Sequence, residues 1–108
     1  MLVESSSKLP AWRAEAVRCA SGAVHDSSCD FPLDGPIWVR LTFHLQVPKR
    51  RRDAWPIKRP DVDKLTRAAL DALTIAGVWR DDSQVAWLSA RKVWALGDAR
   101  TDVELGEL

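Results

Sequence analysis

One stretch near the middle of the chain constrains the fold most, because its side chains alternate between apolar and more polar residues. Residues 37–47 carry Ile, Val, Leu, Phe, Leu and Val at every second position, with Trp, Arg, Thr, His and Gln between them. Successive side chains of a β-strand point to opposite faces, so the pattern predicts one long strand with a buried and a wetter face. Pro48 is expected to end it. The chain therefore contains a sheet with one face turned to a core.

Two helices are predicted from apolar residues that recur at spacings of three and four. The first spans residues 10–24, and the second spans residues 61–76 with Gly77 at its C-terminal cap. Residues 85–96 alternate again and predict another strand. Residues 101–105 are expected to form a short last strand antiparallel to it. This order predicts an α+β fold, in which two helices pack against a small mixed sheet.

Size and composition exclude several classes of protein. The chain has 108 residues and a net charge of +1, which indicates one domain and argues against a generic polycation. No run approaches the ~20 apolar residues of a bilayer span, and the start lacks the apolar core of a secretory signal. We expect a cytoplasmic protein with a disordered tail over residues 1–8 and a domain over residues 9–108. Cys19 and Cys29 are expected to be reduced thiols.

Charge is distributed unevenly along the chain. Residues 49–67 contain eight basic and three acidic residues, whereas residues 98–108 contain one basic and four acidic residues. The first region would attract a polyanion such as DNA, although a solvated loop of like charge is the alternative. The candidate DNA contacts are Arg50, Arg51, Arg52, Lys58, Arg59 and Lys64.

Four carboxylates lie at the two ends of the second predicted helix, with Asp61 and Asp63 at its start and Asp81 and Asp82 beyond its end. Phosphodiester hydrolysis is accelerated by a hard divalent cation such as Mg²⁺, which takes carboxylate and water oxygens. Asp61 and Asp63 follow Pro60 in a stretch expected to be extended, where alternate side chains point the same way. Both pairs can share a site only if the chain reverses around Trp79, because a helix of four turns is about 24 Å long.

Arg67 lies four residues after Asp63, one helical turn further on, where it could hold a phosphate. The structural alternative is that Asp61 and Asp63 only cap the helix and that Asp63 pairs with Arg67 on the surface.

The order and spacing of these residues resemble the RusA family of Holliday junction resolvases. The shared pattern is Asp61-Val62-Asp63, Arg67, Asp71-Ala72-Leu73, Gly77 and Asp81-Asp82-Ser83-Gln84-Val85. The resemblance implies a homodimeric, Mg²⁺-dependent endodeoxyribonuclease, with Mn²⁺ as a substitute ion and no small-molecule cofactor. Its substrate would be branched DNA, and its role would lie in recombination and repair.

The resemblance also implies roles for individual residues. Asp61, Asp63 and Asp82 would be catalytic metal ligands, and Arg67 would occupy the catalytic basic position. Asp81 and Lys92 would be supporting residues, although Lys92 is equally interpretable as a strand residue whose stem packs and whose amine reaches water. The best-known members have Lys at the position of Arg67. Because Arg cannot exchange a proton, phosphate clamping is expected there and proton donation is not.

The resemblance is looser at the N-terminus. Family members usually begin with a strand and a DNA-facing loop, whereas this chain reaches its first predicted helix almost at once. We therefore expect the sheet to lack that strand, and an open edge would threaten stability or invite pairing with another chain. The alternative function is a non-catalytic junction-binding protein that keeps the fold. A third possibility is a structural domain whose acids are helix caps.

Tryptophan is frequent, with six residues. Trp12, Trp79, Trp87 and Trp94 are expected in the core or a dimer interface. Trp55 lies in the basic loop and is the candidate for stacking on an unpaired base. His25 and His44 are assigned no chemistry.

Overall fold

The computed structural model describes residues 2–3, 22, 30–51 and 53–108. Its strands are β1 (Leu2–Val3), β2 (Ile37–Leu45), β3 (Val85–Trp94) and β4 (Arg100–Glu107). One helix, α1 (Val62–Ile75), stands between β2 and β3, and a 3-10 turn (Asp82–Gln84) precedes β3. The predicted first helix, residues 10–24, lies outside the described residues except for Gly22, which is helical. The predictions for Trp12, Cys19, His25 and Cys29 also lie outside the described residues.

The four strands form one mixed sheet in the order β1-β4-β2-β3. β2 runs parallel to β3 and antiparallel to β4, with Leu41 opposite Ala90 on one side and Val103 on the other. The mixed α+β architecture is confirmed. β2 is shorter than predicted, ending at Leu45, and β3 ends at Trp94.

The predicted hairpin between the last two strands is wrong. β4 pairs with β2 and β1, and the connection over residues 95–99 crosses the end of β2. The reason is the apolar face of β2, whose Ile37, Val39, Leu41 and Phe43 are at most 1% exposed. A strand so completely buried is stabilised most in the middle of the sheet, where both its edges are hydrogen-bonded.

The outer edge of β4 carries β1, through pairs between Leu2 and Asp102 and between Val3 and Thr101. The prediction of a disordered start and of a missing first strand therefore does not hold for these two residues. The rest of the predicted tail lies outside the described residues, and the domain boundary stays a prediction.

Helix α1 covers the buried face of β2. Its inward side carries Leu65, Ala68, Ala69, Ala72 and Leu73, all at most 4% exposed, and these pack with the β2 side chains in one core. Alanines on this side allow a close approach between helix and sheet. The amphipathic helix predicted from the sequence is confirmed, and it begins at Val62.

The chain reverses after α1, which is the condition for the two acid pairs to share a site. Gly77 adopts φ +84°, a left-handed conformation that ends many helices. Trp79 then turns inward, is 1% exposed, and donates its indole N–H to Thr74 Oγ1 at 2.7 Å. Leu33 N–H donates to Val78 O at 2.8 Å and ties the reversal to the segment before β2.

Replacing Trp79 tests the importance of this reversal. We expect Trp79→Ala to lower the free energy of unfolding by about 3–5 kcal/mol, because it opens a cavity beneath the turn. Trp55→Ala is the matched control, since Trp55 is 57% exposed, and should change it by less than about 0.5 kcal/mol. Urea denaturation followed by circular dichroism measures both, and equal losses would contradict the expectation.

Candidate active site

The first acid pair lies at the N-terminus of α1. Asp61 is the N-cap residue, with extended backbone angles (φ −75°, ψ 141°), and its side chain makes no capping hydrogen bond. Asp63 is already helical, so the prediction that both acids share an extended stretch is wrong for Asp63. Both side chains are exposed at the positive end of the helix dipole. Capping through a side chain therefore does not explain the presence of Asp61.

Few partners hold these acids or their predicted basic neighbour. Asp61 Oδ2 lies 3.7 Å from Lys64 Nζ, in an exposed pair that contributes little to stability. The side chains of Asp63 and Arg67 make no hydrogen bond or ion pair with any residue that the structure describes. The surface pair expected under the structural alternative is therefore not formed. An exposed carboxylate and an exposed guanidinium thus stand one turn apart on α1.

Lys92 fixes the backbone immediately before the acid pair. Its Nζ donates to Lys58 O and to Pro60 O, both at 2.9 Å. Lys92 lies near the end of β3, so these bonds join the far end of that strand to the start of α1. The ammonium has three donors, and two of them are used in this contact. Lys92 thus holds the segment that presents Asp61.

The basic loop before α1 is tied to the sheet by a second contact. Trp94 donates its indole N–H to Asp53 O at 2.9 Å, and Arg51 Nε donates to the same carbonyl oxygen at 3.2 Å. Trp55 and Ile57 are 57% and 71% exposed. Arg50, Arg51, Lys58, Arg59 and Lys64 are also exposed, whereas Arg52 lies outside the described residues.

The second acid pair lies beyond the other end of α1, at the 3-10 turn. Ser83 Oγ donates to Asp81 Oδ2 at 2.7 Å, and Gln84 Oε1 accepts from the N–H groups of Arg80 and Asp81. Gln84 Nε2 donates to Leu33 O and Gly35 O, which anchors the turn beside β2. Asp81 therefore has a structural role.

Asp82 differs from its neighbour. Its side chain is exposed and makes no hydrogen bond or ion pair within the described part of the chain, although its backbone carbonyl accepts from the Val85 N–H. The turn thus holds the backbone of Asp82 in place while its carboxylate remains available.

The two acid pairs lie at opposite ends of α1. Fourteen helical residues span about 21 Å. The reversal at Trp79 does direct the chain back along the helix. The residue of β3 that reaches the start of α1 is Lys92, which contacts Pro60, whereas Asp82 precedes the other end of β3. Accordingly, residues 30–51 and 53–108 contain no group of three His, Cys, Asp or Glu side chains placed to hold a metal ion.

Sequence reasoning missed three contacts of this region. The clamp by Lys92 could have been suspected, because an amine on the core-facing side of a strand must find oxygen atoms. The hydrogen bonds from the Arg80 and Asp81 N–H groups to the Gln84 side chain could have been expected from the capping-box pattern, in which a Gln stands three residues after the N-cap residue Asp81. His44, which was assigned no chemistry, has its Nε2 2.8 Å from Asp102 Oδ2 on the other face of the sheet. Its partner depends on the pairing of β2 with β4, which was not predicted.

Trp79, Trp87 and Trp94 are expected in the core or in a dimer interface. Trp79 lies in the core, whereas Trp87 is 66% exposed on β3 and lies outside the core, so its place in an interface stays a prediction. Trp94 is half-buried. None of the helices in the described part of the chain is long and apolar enough to cross a membrane.

Comparison with known proteins identifies relatives along most of the chain. The crossover junction endodeoxyribonuclease RusA of Escherichia coli (strain K12) is 33% identical over 85 residues, covering 79% of this chain and 63% of that protein. The protein of the same name from Lactococcus phage r1t is 32% identical over 76 residues, or 69% and 56% of the two chains. The one from Enterobacteria phage 82 is 33% identical over 98 residues, or 91% and 71%.

This chain thus spans less than two thirds of the length of the first two relatives. A family profile described as "Endodeoxyribonuclease RusA" matches residues 3–106, nearly the whole sequence. The chain therefore belongs to the RusA family of endodeoxyribonucleases.

Proposed function

We propose that this chain is a divalent-metal-dependent endonuclease that resolves four-way DNA junctions by paired nicks, working as a homodimer. The observation that carries the proposal is the state of Asp63, Arg67 and Asp82. The described fold uses none of these side chains in a hydrogen bond or ion pair, although each stands at a position of the family pattern. The family membership and the names of the relatives support the same reaction.

The chemistry of the donor set fits Mg²⁺. Asp61, Asp63 and Asp82 offer exposed carboxylate oxygens, which are the ligands that a hard cation prefers, and Mn²⁺ accepts the same donors. The described residues of one chain do not bring these three side chains together, because α1, a helix about 21 Å long, lies between the first two and the third. The full set fits the ion only if the carboxylates come from more than one chain.

A homodimer supplies such a set. With two-fold symmetry, Asp82 of one subunit could lie beside Asp61 and Asp63 of the other, and the same arrangement would recur on the opposite side. Two equivalent sites suit a substrate in which two equivalent strands are cut.

Each residue then has a definite task. The bound ion would supply the Lewis acid that polarises the phosphoryl oxygens and activates the attacking water. Arg67 holds the scissile phosphate and offsets charge in the transition state, and it does not donate a proton. Lys92 keeps the backbone at Pro60 in place, and Asp81 shapes the turn that presents Asp82. The candidate contacts to the phosphate backbone of the junction's DNA arms are Arg50, Arg51, Arg52, Lys58, Arg59 and Lys64.

Loss of one proposed ligand tests the assignment. Asp82→Asn should reduce the nicking of a synthetic four-way junction with Mg²⁺ by more than about 100-fold, because loss of even an outer-shell partner commonly costs 10–100-fold. Asp98→Asn is the matched control, since Asp98 lies in an exposed turn outside the proposed site.

Two results would count against this assignment. Equal nicking by the parent and Asp82→Asn would remove Asp82 from the site. Salt-sensitive junction binding by the parent without nicking would favour the non-catalytic alternative.

Mixing of inactive variants tests whether each site draws on two chains. Asp61→Asn and Asp82→Asn should each be inactive alone, whereas subunit exchange should restore nicking to roughly a quarter of the parental site number. The reason is that half of the dimers are then mixed, and each mixed dimer has one intact site. Asp61→Asn mixed with Asp63→Asn should stay inactive, because both changes lie on the same half of the site. Restoration in both mixtures, or in neither, would contradict a shared site.

The role of Lys92 can be separated from phosphate binding. Lys92→Met keeps the apolar stem but removes both bonds to carbonyl oxygens, and should lower kcat for nicking at least about tenfold and raise the Mg²⁺ requirement. Junction affinity without metal, and its salt dependence, should stay unchanged. If Lys92 instead contacts phosphate, the slope of log K against log salt should fall by about one.

A further inference from the structure

Two large apolar side chains are exposed in the basic loop before α1. Trp55 is 57% exposed and Ile57 is 71% exposed, whereas Pro56 between them is buried. This alternation places Trp55 and Ile57 together on the outer side of the loop, where they form an apolar tip, and places Pro56 on the inner side. The fold gains little from two exposed side chains, so core packing does not explain the apolar tip.

The loop that carries the apolar tip is anchored to β3 on both sides of the tip. Trp94 donates its indole N–H to Asp53 O, and Lys92 Nζ donates to Lys58 O, both at 2.9 Å. Lys92 and Trp94 are two residues apart on the strand, or about 7 Å, whereas five extended residues can span about 17 Å. Residues 54–57 therefore bow outward between two anchors that lie close together.

The backbone of the apolar tip has little conformational freedom. Pro56 has its φ fixed at about −65° by its ring, and a residue that precedes a proline, as Trp55 does, is restricted largely to extended conformations. The anchors at Asp53 and Lys58 limit the residues on either side. Because a side chain on a fixed backbone loses less conformational entropy on binding, the tip is preorganised to contact a partner.

The surroundings of the apolar tip are basic. Exposed basic residues precede and follow it in the chain, namely Arg50, Arg51, Lys58, Arg59 and Lys64. A two-fold interface between copies of this surface would set these like charges against one another, because the same patch then faces itself. A polyanion such as DNA meets no such repulsion, since its phosphates attract the basic side chains. The partner favoured by the charge is therefore DNA that also offers an apolar surface.

DNA offers an apolar surface where base stacking is interrupted. Inside a duplex arm, each base pair is covered on both faces by its neighbours. At the branch point of a four-way junction, the base pairs that flank the crossover can each expose one face. An indole can stack on any of them, because every base has a π-face. A basic loop with an apolar tip thus matches a branch point better than a continuous duplex.

We infer that Trp55 stacks on a base exposed at the branch point of the junction, that Ile57 packs beside it, and that this contact distinguishes junctions from duplex DNA. The contact rests on the proposed function and adds to it the residues that select the substrate. Lys92 also donates to Pro60 O, immediately before Asp61. One side chain thus holds both the loop of the apolar tip and the start of the first acid pair, which keeps the cut close to the branch point.

Binding to a synthetic junction and to a linear duplex of the same length, both without divalent metal, tests the contact. Trp55→Ala should weaken junction binding at least about tenfold, because it removes one base–aromatic stack, and should leave duplex binding unchanged. Trp55→Phe keeps an aromatic ring and should retain most of the junction affinity. Ile57→Ala should weaken junction binding by a smaller factor. Ile75→Ala is its matched control, since Ile75 is 65% exposed at the other end of α1, and should change neither affinity.

Salt dependence separates stacking from phosphate contact. Arg59→Met should weaken binding to junction and duplex alike, and should lower the slope of log K against log salt by about one. Trp55→Ala should leave this slope unchanged, because the indole carries no charge.

A fluorescent adenine analogue reports the contact at the base itself, because its emission depends on stacking. On binding of the parent, the emission should change when the analogue flanks the branch point and should stay constant when it lies in the middle of an arm. Trp55→Ala should abolish the change at the branch point.

Three results would overturn the inference. The first is an equal loss of junction and duplex affinity in Trp55→Ala, and the second is a loss of neither. The third is a weaker dimer in sedimentation velocity as the main effect of Trp55→Ala, because the tip would then lie between two copies of the chain. If circular dichroism shows that Trp55→Ala does not fold, Ile57→Ala decides: a loss confined to the junction upholds the contact, and any other result rejects it.

The failures of the two proposals are distinguishable. A parent that binds junctions selectively through Trp55 but does not nick them would uphold the stacking contact and reject the nuclease function. A parent that nicks junctions, with a Trp55→Ala variant that binds and nicks them equally well, would uphold the function and overturn the contact.

Discussion

Burial of one face of β2 is the constraint on which the rest of the structure depends. Ile37, Val39, Leu41 and Phe43 are at most 1% exposed, and α1 is the described helix that covers them. To cover a strand of nine residues, the helix must run along most of its length. The ends of α1 are therefore fixed at opposite ends of the sheet, and each end presents one pair of aspartates. The separation of the carboxylates is thus a consequence of core packing.

Neighbouring acids with similar sequence environments have different roles in this fold. Asp81 is hydrogen-bonded within the 3-10 turn to Ser83 and Gln84, whereas the carboxylate of Asp82 has no partner in the described structure. Asp61 and Asp63 stand where helix caps are common, yet the side chain of Asp61 makes no capping hydrogen bond. The free energy of folding gains little from these exposed carboxylates, and this supports an explanation in terms of function.

Local patterns allowed much of the fold to be predicted. The alternation along β2 and the spacing of Leu65, Ala69 and Leu73 in α1 each depend only on burial within that element, so they could be recognised from the sequence. Gly77 indicates the end of α1, because glycine readily adopts the left-handed conformation found there. The order of the strands could not be predicted from the sequence, because it depends on competition between β3 and β4 for the edges of β2. Lys92 shows the same limit, since its two carbonyl partners become neighbours only after the parallel pairing is known. The candidate acids could be chosen from spacing, but their distance required the path of the chain after Trp79.

The length of α1 has a consequence for when such an enzyme could act. If three carboxylates are needed and one chain presents them only as separated halves, a newly made single chain carries no complete centre. Assembly then follows mass action, so the concentration of complete centres rises steeply, with the square of the chain concentration when most chains are single. Because the fourteen-residue helix keeps the carboxylates of one chain apart, it would set a threshold for the concentration of the expressed chain. Below that concentration few complete centres form, and cellular DNA is protected from cleavage.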